Sequence, residues 1–468
     1  MIGRKNGGSG MKRHLGLRAG LALVVCSLAA TAGDHYILKL REGAGIGPVA
    51  AAHGIEVIRA MKGSANGLFV VNVPAGSLSS AIVHALATDP AVAEVEADSQ
   101  VTLPELAGVA VRQPGAFNLP PMYNPYQTVN YYGAQVWGPY VSQPAMGILG
   151  VSFAQWFATG QGTVVAVIDT GVDPNNLVLR GVLRNGYDFI RNLPGGSEMA
   201  DINQSTTEVL DQSTTEVLDY ADAVTLSLNQ STTEVLDQST TEVLDQSTTE
   251  VLDQNPPPPA FGHGTMTAGL VHLVAPRAAL MPLKAFSGSG TADVSAVVEA
   301  IYYALDNGAG VISMSFSATQ SSSTLKQAIG AAYNQGVVCV AAVGNAGQQT
   351  NQIYPASYGQ VMGVASVNNL DQRSSFSNYG NGLVAVAAPG EGVISTYPGT
   401  NNYAAGWGTS FSTPLAAGGA ALLLQVSPNA SVQAISNAIE AGAVNVGQGL
   451  GAGVVNLPAS IISLKGFN

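Results

Sequence analysis

A chain of 468 residues, 46% hydrophobic and only 10% charged, with 55 glycines, suits a large globular core with many tight turns and more than one domain. The net charge of -12, from 18 basic and 30 acidic residues, is local. Five copies of the octapeptide Gln-Ser-Thr-Thr-Glu-Val-Leu-Asp, at 204–211, 212–219, 230–237, 238–245 and 246–253, carry ten of the negative charges and leave the remainder at -2, which argues against a nucleic-acid binder.

Lys12, Arg13 and Arg18 precede a largely apolar run from Ala19 to Leu28, followed by the small residues Ala30-Thr31-Ala32. This reads as a secretory signal over 1–33, too short and too closely flanked by charge for a membrane span, so a secreted protein is expected. Met11 is an alternative start, and valine before Cys26 makes a poor lipoprotein site. With Cys26 in that segment, Cys339 has no intramolecular disulfide partner in the mature chain and reads as a small core residue.

Residues 34–103 read as a small α+β domain. Tyr36-Ile37-Leu38-Lys39-Leu40 and Leu68-Phe69-Val70-Val71-Asn72-Val73 are strand-like, and Leu78, Ala81, Ile82, Ala85 and Leu86 share one helical face. Prolines 104, 114, 120, 121 and 125, with little periodicity over 99–135, predict a linker that leads into a domain over 136–468.

In that domain strands alternate with helices. Val164 to Ile168 is an unbroken apolar run ending in Asp169-Thr170-Gly171, as in a strand covered on both faces. A second strand is predicted over Ala279 to Leu283. A helical stripe of Val294, Val297, Val298, Ile301 and Leu305 starts after Asp293 and stops at Gly308. Val311 to Ser315 and Val337 to Val343 read as strands, with Leu325, Ala328, Ile329 and Ala332 on a helix between them. The alternation predicts an α/β fold with a doubly wound parallel sheet, whose sites lie at the carboxyl ends of its strands. Asp169, Ser315 and Asn345 fall there. The octads interrupt the order as a low-complexity insert over 201–259, read as a disordered surface loop.

Further along, Gly408-Thr409-Ser410-Phe411-Ser412-Thr413-Pro414 precedes a run, Leu415 to Leu424, that is apolar or small throughout, as in a helix at a domain centre. With Pro414 as a first-turn proline, Ser410 lies at the mouth of that helix, where amides and dipole favour developing negative charge. A lone serine there is ordinarily an N-cap. A nucleophilic serine also needs a base, an acid to orient the base, and donors for an oxyanion. His14 lies in the signal, and His35, His53 and His84 in the first domain, so only His263 and His272 remain. Glycines flank His263 in Gly262-His263-Gly264-Thr265-Met266-Thr267-Ala268-Gly269, where a helix begins, whereas His272 reads as a packing or surface residue within it. Asp169, His263 and Ser410 then form a triad in the order acid, base, nucleophile.

Val167-Ile168-Asp169-Thr170-Gly171, Gly262-His263-Gly264-Thr265 and Gly408 to Pro414, with Val343-Gly344-Asn345-Ala346-Gly347 between the last two, closely resemble the active-site motifs of the subtilisin-like serine peptidases, over roughly residues 130–460. The resemblance implies a secreted serine endopeptidase with Asp169 as orienting acid, His263 as general base and acid, Ser410 as nucleophile and Asn345 in the oxyanion hole. It implies that Gly288, Ser289, Gly290, Ser315, Phe316 and Ser317 flank an extended protein or peptide substrate. Ala341, Ala342, Ala346 and Ile353 would line an uncharged pocket suited to side chains of limited size. Residues 34–103 would be a ferredoxin-like inhibitory prodomain, cut off by the enzyme itself between Gln100 and Tyr123. The expected form is a monomer that needs no cofactor for its chemistry; the family often binds calcium, but no ligand set is recognisable.

Two other readings remain at this stage. A peptidase fold retired to an adhesion role would have no reason to keep Asp169, His263, Ser410 and Asn345 together. An esterase lacks the Gly-x-Ser-x-Gly elbow.

Overall fold

The computed structural model describes residues 35–65, 67–74, 79–104, 128–202 and 258–466. The signal segment, the octads and most of the proline-rich linker lie outside the described residues.

The N-terminal unit runs β1 (His35–Leu40), helix Ile46–His53, β2 (Glu56–Ala60), β3 (Leu68–Asn72), helix Ser79–Thr88 and β4 (Val92–Ala97), which is the βαββαβ order of a ferredoxin-like unit. Its antiparallel sheet has the order β2-β3-β1-β4. Leu38, Leu40, Val71, Val73, Leu86 and Val92 close one face of that sheet under the two helices.

Two stretches expected as linker are structured. Gln100–Thr102 forms a strand, β5, and Thr128–Tyr131 (β6) makes a hairpin with Ala134–Trp137 (β7). Neither is visible as a hydrophobic run, because each owes its conformation to a partner. β5 pairs with the main domain, and the hairpin is tied down by the Tyr131 hydroxyl, which donates to the Leu273 carbonyl at 2.6 Å.

The main domain is built on an eight-stranded sheet. Its strands are β8 (Val164–Asp169), β9 (Tyr187–Asp188), β10 (Leu193–Pro194), β11 (Ala279–Lys284), β13 (Val311–Met314), β14 (Val338–Ala342), β15 (Val361–Val367) and β16 (Val386–Pro389). They lie in the order β10-β9-β11-β8-β13-β14-β15-β16, parallel except for the β9–β10 edge. A short strand β12 (Thr291–Asp293) stands outside this sheet and pairs with β5, and β17 (Val393–Tyr397) pairs with β18 (Asn402–Gly406).

Alternate side chains explain why both faces need cover. Val165 and Val167 pack on one side with the helices His263–Val274 and Thr409–Val426. Ala166 and Ile168 pack on the other with the helices Val294–Asp306 and Ser323–Asn334. The chain leaves β8 toward β11 on one side and then crosses to β13 on the other, so the order reverses at β8. In such sheets ligands bind in the crevice beyond the strand ends at that switch point. Asp169 ends β8, and Ser315 follows β13.

Candidate active site

The first half of the site joins the end of β8 to the start of a helix. Asp169 is buried at 0% exposure, and its Oδ1 accepts from His263 Nδ1 at 2.7 Å and from the Thr170 amide at 2.7 Å. The Thr267 hydroxyl lies 3.2 Å from Asp169 Oδ2. Since an ionised carboxylate only accepts, the proton on His263 sits at Nδ1, and Nε2 is the end presented to chemistry. The two segments approach so closely that a Cβ on Gly264 would stand 1.9 Å from the Gly171 carbonyl, which is why glycine is needed there.

The second half is the helix Thr409–Val426. It begins earlier than the sequence suggests, so Ser410 is in its first turn and Pro414 is inside it. A proline there lacks the amide that would reach the carbonyl four residues back, which is that of Ser410. That carbonyl instead accepts from the Ser315 hydroxyl at 2.9 Å, and the Ser410 hydroxyl donates to the Ser315 carbonyl at 3.1 Å. A reciprocal pair of bonds therefore ties the helix mouth to the end of β13. The His263 ring packs against the Phe411 ring with centroids 5.5 Å apart, which brings the imidazole to the residue next to Ser410.

Asn345 lies three residues beyond β14 and is buried. Its Oδ1 accepts from the Thr409 amide and the Thr409 hydroxyl, both at 2.9 Å. With the oxygen committed to Thr409, Nδ2 is the opposite end of the carboxamide, a donor beside the first turn of the Ser410 helix. The positive end of that helix's dipole adds to the positive character of the spot.

β5 occupies a cleft between two edges. Thr102 exchanges amide hydrogen bonds with Ser317 at 3.3 and 3.0 Å, while β5 pairs antiparallel with β12 on its other side and the Leu103 amide donates to the Gly290 carbonyl at 3.0 Å. Val101 and Leu103 are both 1% exposed. A peptide segment thus pairs with β12 on one side and by a single bridge with Ser317 on the other, held through its main chain. Of the residues expected on the flanks, Ser317 and Gly290 pair with it. The carbonyl of Gly288 accepts instead from the Ala260 amide at 2.9 Å, and the Ser289 hydroxyl is 2.7 Å from that of Ser287. The second edge is thus Gly290 with β12 rather than residues 288–290. Phe316 is buried against Phe286, with centroids 5.1 Å apart.

Ala341 and Ala342 are adjacent in β14 and face opposite sides of the sheet. Ala341 packs in the core layer with Phe316 and Val343, so its side chain points away from that of Ala342. Ile353 is half-buried and approaches Gly344, while Ala346 is exposed.

His272 is a core residue, 3.3 Å from the Tyr140 hydroxyl, and burial brings its pKa down to about 4. Cys339 is buried, and its thiol is pushed up to about 12 by burial, so it is not a nucleophile. Among the described residues no group of three or more His, Cys, Asp or Glu side chains is gathered as a metal site, and calcium is assigned no ligands. Nor is any helix among them long and apolar enough to cross a membrane.

Sequence reasoning missed Thr267, Thr409 and Phe411 as supports of the site, although each lies inside a motif already singled out. It also missed Glu198, for which no motif gives a signal.

Residues 160–454 match the model of the subtilase family. Subtilisin DY of Bacillus licheniformis is 40% identical over 213 residues, covering 42% of this chain and 77% of that protein. Thermitase of Thermoactinomyces vulgaris is 34% identical over 305 residues, covering 63% of this chain and 86% of that protein. Among solved structures, fervidolysin of Fervidobacterium pennivorans, described as a keratinolytic enzyme related to subtilisin, aligns with a TM-score of 0.65 at 20% identity, over 92% of this chain and 61% of that one. At that identity the likeness bears on the fold alone. A protease of Pseudoalteromonas arctica aligns with a TM-score of 0.52 at 26% identity, over 68% of this chain and 94% of that one.

Proposed function

The chain belongs to the subtilase family and is a serine endopeptidase, and from that premise we propose that it cuts peptide bonds through Asp169, His263 and Ser410, with Asn345 as oxyanion donor, after release from a self-inhibited, secreted precursor. The observation that carries the assignment is the 2.7 Å bond from His263 Nδ1 to Asp169, made by an imidazole packed on Phe411 of the Ser410 helix.

In the proposed cycle, His263 Nε2 takes the Ser410 hydroxyl proton as Oγ attacks the scissile carbonyl carbon. Asp169 holds the tautomer and stabilises the imidazolium that forms. The oxyanion is met by Asn345 Nδ2 and the Ser410 amide, donors fixed before reaction and therefore free of reorganisation cost. His263 returns the proton to the leaving nitrogen as the C–N bond breaks. Water then attacks the acyl-enzyme with His263 again as base. Each step uses groups held by neighbours: Asp169 by Thr170 and Thr267, and Asn345 by Thr409.

Self-inhibition is supported by β5. A segment continuous with the N-terminal unit lies where a substrate main chain would pair, against Ser317 and Gly290. The unit is anchored at two helix N-termini, where side-chain oxygens accept from first-turn amides. Asp98 accepts from the Ser295 amide at 2.8 Å, and Glu96 accepts from the Thr324 amide at 2.9 Å and its hydroxyl at 2.7 Å. Extended pairing through main chain is tolerant of sequence, and the uncharged surroundings of Ala342, Gly344 and Ile353 suit uncharged side chains before the cut.

The test is the fate of the precursor. Secreted wild-type protein should lose the N-terminal unit and hydrolyse denatured protein, and Ser410→Ala should accumulate uncut and inactive. An uncut wild type without hydrolysis would instead favour a non-catalytic role.

A further inference from the structure

Behind the pair of Asp169 and His263 lies a fully buried carboxylate on the short 3₁₀ turn Glu198–Asp201. Its oxygens meet four donors. Oε2 accepts from the Gly262 amide at 2.8 Å and from the Thr170 hydroxyl at 3.0 Å. Oε1 accepts from the Thr265 amide at 3.1 Å and from the Thr265 hydroxyl. Both hydroxyls pass the connection onward, since Thr170 Oγ1 accepts from the Gly264 amide at 2.9 Å and Thr265 Oγ1 from the Asp173 amide at 2.8 Å.

All four donors belong to the two segments that carry Asp169 and His263. Thr170 is the residue after Asp169, and Gly262 and Thr265 flank His263. We infer that Glu198 is a positioning residue for catalysis, a buried clamp that fixes the His263 helix against the end of β8 and so sets the contact between Asp169 and His263. The inference rests on the endopeptidase reading above and extends it to a residue outside the triad motifs.

Only the ionised carboxylate accepts from all four donors at once; an amide in its place turns an NH₂ group toward two of them. Burial pushes Glu198 up to about 7, while its hydrogen bonds and the Lys284 ammonium oppose that rise. Lys284 is itself buried and held by Asp201 Oδ2 and the Thr170 carbonyl, both at 2.6 Å, so the same turn braces the Asp169 loop from a second side. Tyr397 faces the clamp across Gly262, where a Cβ would stand 2.3 Å from its ring. Misplacing reacting groups by about 1 Å from outside the chemistry costs on the order of 10²-fold in rate.

The test compares wild type and Glu198→Gln as mature enzyme, with the uncut Ser410→Ala precursor as the blank, competent sites being counted by a serine-reactive phosphonate and kcat and KM measured per competent site on a chromogenic peptide. The expected result is a fall in kcat of about 10- to 100-fold in Glu198→Gln with KM within about threefold of wild type, because the clamp acts on the reacting groups and not on β-pairing with substrate. Unchanged kcat per competent site, with only the yield of folded protein reduced, overturns the inference and makes Glu198 a folding residue. If Glu198→Gln yields no folded enzyme, Thr170→Val and Thr170→Ser decide: loss of kcat in the first and recovery in the second supports the clamp, and wild-type kcat in both overturns it. If wild type itself takes no label at Ser410, the endopeptidase reading has failed, a result distinct from all of these.

Discussion

The Ser315 hydroxyl donates to the Ser410 carbonyl at 2.9 Å, at the point where Pro414 has removed the amide that would otherwise pair with that carbonyl. At this carbonyl the helix mouth that presents Ser410 is therefore fastened from outside, by the residue after β13, and not by its own ladder. Ser315→Ala leaves a buried carbonyl without this donor and should cost roughly 1–3 kcal/mol. In a Pro414→Ala background the restored amide can take the same carbonyl, so the cost should shrink. Denaturant unfolding of the four proteins of this double-mutant cycle measures the difference; equal costs in both backgrounds would contradict the account.

In the proposed cycle Asp169 orients His263 and stabilises its imidazolium without taking part in bonding changes. Asp169→Asn keeps the shape and reverses the tautomer preference, so kcat should fall by about 10⁴ with KM little altered. Thr267→Val removes a bond of 3.2 Å to Asp169 Oδ2 and should cost less than about tenfold. Steady-state kinetics on one peptide substrate checks both, and equal effects would show that the carboxylate is not the dominant partner.

Asn345 is locked by Thr409 at its oxygen end, which makes its amide end the donor. Asn345→Ala should lower kcat by about 10²–10³, the scale of a single oxyanion donor. Thr409→Val should reproduce a fraction of that loss by unlocking the carboxamide. Wild-type kcat in Asn345→Ala would remove it from the oxyanion hole.

The junction between the N-terminal unit and the main domain carries a titratable strain. Burial raises Asp98 to about 6 from 3.8, with Asp293 adding to the rise and Arg59 and the bonds to Ser295 opposing it. Its Oδ2 is buried with no hydrogen-bond partner. Because the folded pKa lies above the unfolded one, folding favours the protonated acid; this contribution is fully present below about pH 4 and is lost as pH rises through about 6. Asp98→Asn in a Ser410→Ala precursor should remove that loss, so its stability relative to the Asp98 protein should improve between pH 4 and pH 7. A difference that does not change with pH would contradict the assignment.

On the proposed reading, specificity should follow the uncharged side chains around Gly344, where Ile353 approaches. A peptide library should be cut faster after Leu or Ala than after Lys or Arg. The reverse order would contradict this reading.

Much of the fold is legible in sequence because the parallel strands are continuous apolar runs. Val164 to Ile168 and Val338 to Ala342 need no partner to be recognised. β5 is not legible, since Gln100-Val101-Thr102 is too short and mixed to be a strand until Ser317 and Thr291 flank it. The helix start at Thr409 is hidden because Pro414 reads as a first-turn residue, and only the Ser315 bond makes a proline tolerable deeper in. Ala341 and Ala342 look equivalent in sequence, yet the two-residue period of a strand sends them to opposite faces. Asp169 and His263 are conspicuous in their settings, a strand end and a glycine-flanked helix start, but their 2.7 Å contact is a three-dimensional fact. Glu198 has no local signature at all: one partner lies 28 residues before it, and the others lie 64 and 67 residues after it, across the octads.

The central claim is that one hydroxyl, at Ser410, is made nucleophilic by His263. The most direct measurement is intact mass and peptide mapping of the secreted protein after exposure to a peptidyl phosphonate, in parallel with Ser410→Ala and His263→Ala. One adduct per chain, mapped to Ser410 and absent from both variants, is the predicted result. No adduct on the wild type, or an adduct that persists when Ser410 is alanine, would contradict the account.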